Sequence, residues 1–132
     1  MSKIIHQSGK RKTAVARATL QEGSGLIKIN NIALDVFQPK LYRLKIREPL
    51  LLAGDIAQKV DIDVNVEGGG VMAQAEAARL AIGRALTDFA PKLKKVFLDY
   101  DRQLLVADVR FKETHKPNKH GSARSKKQKS YR

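Results

Sequence analysis

The C-terminal segment from Lys112 to Arg132 limits the fold before anything else does: it holds no aliphatic side chain larger than Ala123 and a single aromatic, Tyr131. Pro117, Asn118, Gly121 and several serines interrupt any helical pattern in the same stretch. Such a segment has nothing with which to bury apolar surface. Fixing its backbone at roughly 1–2 kcal/mol per residue costs on the order of 20–40 kcal/mol, far more than its internal contacts would offset. It is expected to be disordered alone and to order only on a partner. The core must therefore be complete before Lys112, and the expected organisation is a globular domain over 1–111 followed by an extended basic tail over 112–132.

The charge distribution says what kind of partner. The chain has 26 Lys and Arg against 13 Asp and Glu, a formal net charge of +13 and an isoelectric point near 10.2. The tail contributes Lys112, Lys116, Lys119, Arg124, Lys126, Lys127, Lys129 and Arg132 against Glu113 alone. Its net +7 leaves +6, the remainder of +13, on the chain before Lys112. Eight cations that cannot fold would repel one another for no structural gain, so a polyanion is the economical partner. Nucleic acid fits better than membrane: no apolar run approaches the ~20 residues of a span, and the N-terminus lacks a charged-then-apolar leader pattern. The expected location is the cytoplasm. There are no cysteines, which removes disulfides, thiolate metal sites and thiol nucleophiles together.

Ahead of the tail, the sequence alternates between two periods. Val60-Asp61-Ile62-Asp63-Val64-Asn65-Val66 is apolar at every second position, the pattern of a strand with one buried face. Lys12 to Leu20 and Leu26 to Asn30 read as two further strands, joined as a hairpin across Glu22-Gly23-Ser24-Gly25. Lys40 to Leu52 has helical spacing broken by Pro49 and closed by Gly54, which predicts two short helices. From Val71 to Phe89 the apolar positions Val71, Ala75, Ala78, Ile82, Ala85, Leu86 and Phe89 fall in one arc at 100° per residue, with Glu76, Arg84 and Thr87 facing away. This predicts an amphipathic helix, stopped by Pro91 and followed by a shorter helix over Pro91 to Tyr100. The expected fold class is α+β, helices layered on a small sheet.

No catalytic apparatus emerges. Gly68-Gly69-Gly70 with Ala73 satisfies the form of a dinucleotide fingerprint, but Asp88, at the distance where that fold needs an acid ending a second strand, falls inside the predicted helix. The glycines are better read as a strand-to-helix turn, or as backbone N–H groups at a helix N-terminus open to an RNA phosphate. Gly9-Lys10-Arg11-Lys12-Thr13 is not a nucleotide-binding loop, because Arg11 stands where Ser or Thr must follow the lysine; it reads as a basic clamp. Asp61 and Asp63 share a strand face, and Asp99 and Asp101 lie close together, but solvated acids explain both pairs. His6, His115 and His120 are too scattered for a metal pair. No cofactor and no metal are expected, and a nucleotide-using enzyme built on the glycine turn stands only as a rival reading.

Gly68 to Leu86 (GGGVMAQAEAARLAIGRAL) closely resembles the signature of the universal small-subunit ribosomal protein nine family. Gly9 to Arg17 and Gln128 to Arg132 resemble the family's two termini, and the ending QKSYR resembles its archaeal and eukaryotic branch, with the short N-terminus leaning archaeal. The resemblance implies a two-layer sandwich with a left-handed βαβ unit, like the second domain of small-subunit ribosomal protein five. It also implies a non-enzymatic structural role in the head of the small ribosomal subunit, among neighbouring ribosomal proteins, with the tail threading rRNA toward the peptidyl-site tRNA. Carried over by residue, it assigns Lys10, Arg11, Lys12, Arg84, Arg110, Lys112, Lys116, Lys119, Arg124, Lys126 and Lys127 to rRNA, and Lys129, Tyr131 and Arg132 to the neighbourhood of tRNA. Ser122, Ser125 and Lys126 depart from the family's more usual Gly, Ala and Arg. A free-standing RNA-processing cofactor shares the same basic surface and is the third reading.

Overall fold

The computed structural model describes residues 3–36, 40–118 and 123. Five strands form one sheet: β1 (Ile5–Arg11), β2 (Ala14–Glu22), β3 (Ile27–Ile29), β4 (Ile32–Ala33) and β5 (Val60–Glu67), in the spatial order β1-β2-β5-β3-β4. Three helices, α1 (Lys40–Ala53), α2 (Val71–Phe89) and α3 (Leu93–Tyr100), complete a mixed α+β fold. The sheet buries one face only. Val60, Ile62, Val64 and Val66 of β5 point into the core with Ala14, Ala16, Ala18 and Leu20 of β2 and Ile27 and Ile29 of β3. The registers Ala16 to Val66, Ala18 to Val64, Leu20 to Ile62 and Ile29 to Val64 set these side chains side by side.

The alternating segment is thus the central strand, as its unbroken period requires, and its position corrects the expected hairpin. β2 and β3 do not pair: β5 lies between them, antiparallel to β2 and parallel to β3. A turn does form over residues 22–25, but long-range pairing decides which strands become neighbours. Asp61 of β5 organises that turn. Its Oδ1 accepts backbone N–H bonds from Ser24, Gly25 and Leu26 at 3.0, 3.2 and 2.9 Å, and the Leu26 and Ser24 bonds hold its carboxyl below the usual carboxylate range. Asp61 is therefore part of the turn, whereas the sequence alone suggests only a solvated acid.

The true hairpin next to β2 is β1–β2, joined through Lys12 and Thr13, with Lys12 at φ +54. Sequence patterning misses β1 because this edge strand turns only Ile5 and Gly9 fully into the core. A second short hairpin, β3–β4, turns at Asn30 and Asn31, both at positive φ, which asparagine tolerates. The Asn30 side chain continues the ladder onto β5: its Nδ2 donates to the Val66 carbonyl at 3.2 Å and its Oδ1 accepts from the Val66 N–H at 2.8 Å.

Lys40–Ala53 is one helix, not the two expected. Pro49 sits inside it and forfeits one backbone hydrogen bond, but its ring is fully buried on the face shared with Ile46 and Ala53, which offsets the loss. Gly54, at φ +61, ends α1 in the left-handed conformation that favours glycine, and 3-10 turns over Gly54–Lys59 lead into β5. α2 keeps the predicted limits but not the predicted single buried arc. It is buried around most of its girth from Ala73 to Leu86, because it packs on β1, β2 and β5 while α1, α3 and a 3-10 turn over Arg102–Leu104 cover its other sides. Its alanines permit this: small side chains let backbones approach from several directions.

At two places the approach leaves no room for a Cβ. One added at Gly9 would meet the Ala77 carbonyl and lie 2.7 Å from the Ala81 nitrogen; one added at Gly83 would lie 2.5 Å from the Leu104 carbonyl oxygen. Alanine ordinarily strengthens a helix by up to about 1 kcal/mol over glycine. Here overpacking at about 1–3 kcal/mol wins. Gly83→Ala should therefore lower the midpoint of urea unfolding, and an unchanged or higher midpoint would show that the Arg102–Leu104 turn does not press on α2.

Candidate nucleic-acid interface

The cations named from sequence divide into two groups. Arg11, at the end of β1, is largely buried: its Nε lies 2.6 Å from Glu76 of α2 and one terminal nitrogen 3.1 Å from Asp108. Lys45 of α1 reaches the same Glu76 at 3.4 Å. Arg84 is spent on backbone, donating from Nε to the Leu105 carbonyl at 3.2 Å and from a terminal nitrogen to the Ser8 carbonyl at 2.9 Å. It ties β1 to the chain that follows α3. Both arginines hold the fold together, and neither presents a free guanidinium to a phosphate.

Lys10, Lys12, Arg110 and Lys112 are exposed. Lys10 places its ammonium 5.1 Å from the centre of the Phe111 ring, a cation–π distance. Arg110 forks onto Asp108, from Nε to the two oxygens at 3.0 and 3.1 Å and from a terminal nitrogen at 2.6 Å. Asp108 thus bridges Arg11 of the sheet edge to Arg110 of the outgoing chain. The Arg110 side-chain bond, reinforced by the Arg110 N–H and by Arg11, holds its carboxyl well below the usual carboxylate range. Lys116 pairs with Glu113 at 3.0 Å. Lys119, Arg124, Lys126, Lys127, Lys129, Tyr131 and Arg132 lie outside the described residues, as does most of the proposed tail.

Sequence reasoning misses Arg79, the one charged residue among those described that is buried. It donates from Nε to Glu48 of α1 at 2.8 Å and from a terminal nitrogen to Asp101 at 2.9 Å, joining three helical elements. Burial works to raise the Asp101 carboxyl, but the Gln103 N–H and Arg79 outweigh it and hold it low. No periodicity flags such a residue, since an arginine in a helix is ordinarily solvated. Lys10, Arg11, Lys45, Arg79 and Arg110 converge with Glu76, Asp101 and Asp108 around a cleft of about 180 Å³. Arg11, Lys45, Arg79 and Arg110 face carboxylates at close range, while Lys10 lies over the Phe111 ring, so the inside of the cleft is an ion network and a poor anion receptor.

The glycine turn also resolves. Gly68 and Gly69 lie at φ +77 and +67, and a Cβ at Gly68 would lie 2.7 Å from the Thr13 carbonyl oxygen. Steric packing against the β1–β2 turn and positive φ are sufficient reason for Gly68 and Gly69, whereas Gly70, the N-cap of α2, faces open space. No strand follows α2 among the described residues, and Asp88 lies within the helix, so the dinucleotide geometry is not formed. A cavity of about 530 Å³ between β3–β4 and α1 is lined by apolar residues such as Leu26, Leu34, Leu50 and Leu51 together with Asp35, Arg47, Asp55 and Gln58. No helix among the described residues is long and apolar enough to cross a membrane.

The sequence matches the family described as ribosomal protein S9/S16 over residues 9–132. The chain belongs to that family. Among its relatives, the small ribosomal subunit protein uS9 of Methanococcus vannielii is 50% identical over 133 residues, covering 98% of this chain and 99% of the relative. The uS9 protein of Methanococcus maripaludis strain C7 is 49% identical over the same coverage. The S9/S16 match spans both the glycine turn and the basic tail, and the archaeal relatives agree with the archaeal lean of the termini. It is a family of ribosomal proteins rather than enzymes.

The Asp108 bridge has a pH signature. A carboxyl depressed in the folded state adds stability that is present above its unfolded value of about 3.9 and is lost as pH falls through the folded value. Wild type should melt at a higher temperature than Asp108→Asn at neutral pH. The gap should begin to close below about pH 4 and vanish in stronger acid. Melting curves that stay parallel down to strong acid would contradict the bridge.

Proposed function

We propose that the chain is a structural protein of the small ribosomal subunit that binds rRNA by phosphate neutralisation in the subunit head and extends its C-terminal tail toward the peptidyl-site tRNA. The observation that carries the reading is the family match over nearly the whole of a chain of net charge +13, half of whose excess lies in a segment, Lys112 to Arg132, unable to form a core. The relatives' names support the subunit assignment. The cytoplasm and neighbouring ribosomal proteins follow from it as location and partners.

In this reading the globular domain docks on rRNA while Lys10, Lys12, Arg110, Lys112, Lys116, Lys119, Arg124, Lys126 and Lys127 neutralise phosphates. Arg11 and Arg84 contribute by holding β1 and the 105–110 segment in place. Such contacts position RNA and do not read its sequence. Lys129, Tyr131 and Arg132 at the end of the tail approach the tRNA, where two cations meet phosphate and the tyrosine ring offers a stacking surface.

If six to ten phosphates are neutralised, affinity for a transcript of the rRNA head domain should fall by about 10³–10⁵ between 50 and 200 mM salt; a flat salt response would rule the mechanism out. Deleting Lys129 to Arg132 should leave subunit assembly intact and weaken tRNA binding at the peptidyl site. Equal tRNA affinity in truncated and full-length subunits would remove the tail's end from that role.

A further inference from the structure

A group of cations that composition does not single out lies on α3. Lys92, immediately before the helix, and Lys94 and Lys95 within it are exposed, while Leu93 and Phe97 are buried on the opposite side. At 100° per residue Lys94, Leu98, Lys95, Asp99 and Lys92 occupy one continuous arc, and with Pro91 they line a single shallow cleft. None of the three lysines makes an ion pair with a described residue. This is the reverse of the Arg11 cleft, where carboxylates already occupy the cations.

We infer, resting on the rRNA-binding reading above, that the outer face of α3 is a second phosphate-docking surface of the globular domain, with Lys92, Lys94 and Lys95 gripping an RNA backbone and Leu98 flooring the contact. Three positions on one helical turn span about 5 Å along the axis at 1.5 Å per residue, and flexible lysine stems extend that reach to neighbouring phosphates. Charge complementarity selects the occupant: three ammonium groups without an ion pair among the described residues, on a helix anchored to the core by Leu93 and Phe97, suit a polyanion. Asp99 opposes the contact and tempers it.

The test is the salt dependence of binding of the full chain to the rRNA head-domain transcript. Replacing Lys92, Lys94 and Lys95 together by glutamine should reduce the slope of log affinity against log salt by about 2–3, and affinity near 0.1 M salt on the order of 100-fold, at roughly 0.7–0.9 per phosphate released. Each single Lys→Gln change should lower the slope by roughly 0.7–0.9, so the result does not depend on the triple variant folding. The triple Lys→Arg variant should keep the slope, and Asp99→Asn should tighten binding. Wild-type slope in the glutamine variants overturns the inference. So does unchanged RNA binding with lost binding to phosphatidylserine vesicles, which would make the face a membrane contact. A flat salt response in the wild type is a different failure: it overturns the rRNA-binding reading itself, and this inference with it.

Discussion

Everything in the domain is arranged around the close approach of α2 to its surroundings. A helix packed on a sheet normally keeps one side for solvent. Here Gly9 lets strand backbone meet the Ala77–Ala81 stretch of α2, and Gly83 lets the Leu104 carbonyl meet it from another side. With α2 enclosed, its polar residues cannot be solvated in the ordinary way, and they become the ties between elements. Arg79 reaches Glu48 and Asp101, Glu76 reaches Arg11 and Lys45, and Arg84 reaches the carbonyls of Ser8 and Leu105.

That enclosure sorts the charges of a very basic protein into two populations. Cations drawn into the ties around α2 are matched by carboxylates or carbonyls and serve cohesion. Other described cations, Lys12, Lys112 and the three lysines on and beside α3, are exposed and make no ion pair with a described residue, and in the proposed reading these meet an external polyanion. A net charge of +13 alone does not distinguish these roles. The neighbours of each residue do: Arg11 and Lys12 are adjacent in sequence, yet one is locked between Glu76 and Asp108 and the other is exposed at a hairpin turn.

How far the sequence can be read follows from how local each signal is. β5 is legible almost to the residue because its alternation runs unbroken, and the limits of α2 are legible because Gly68–Gly70 precede it and Pro91 follows, although its burial on several sides is not. α1 reads as two helices because Pro49 breaks a helix by local rules, and only tertiary burial of its ring compensates. β1 is invisible because an edge strand with Gly9 and Arg11 on its inner side has no apolar alternation. The pairing of β2 with β5 is not available from the Glu22–Gly25 turn, since the turn's geometry is set by Asp61, 35 to 37 residues further on. The same limit applies to the interface. Basic residues can be found by composition, but which of them are already tied into the fold is a property of packing: Arg11 is held by Glu76 and Asp108, Arg84 by the carbonyls of Ser8 and Leu105, and the lysines of α3 stand outside.

The division of cations is most directly tested by residue-resolved covalent footprinting of lysine and arginine side chains, read by mass spectrometry in the free protein and in its complex with the rRNA head-domain transcript. Arg11, Arg79 and Arg84 should react slowly in both states, while Lys12, Lys92, Lys94, Lys95 and the tail cations should react readily when free and become protected on RNA. Free-state reactivity at Arg11 and Arg84 that disappears on RNA, with the α3 lysines unchanged, would contradict that division.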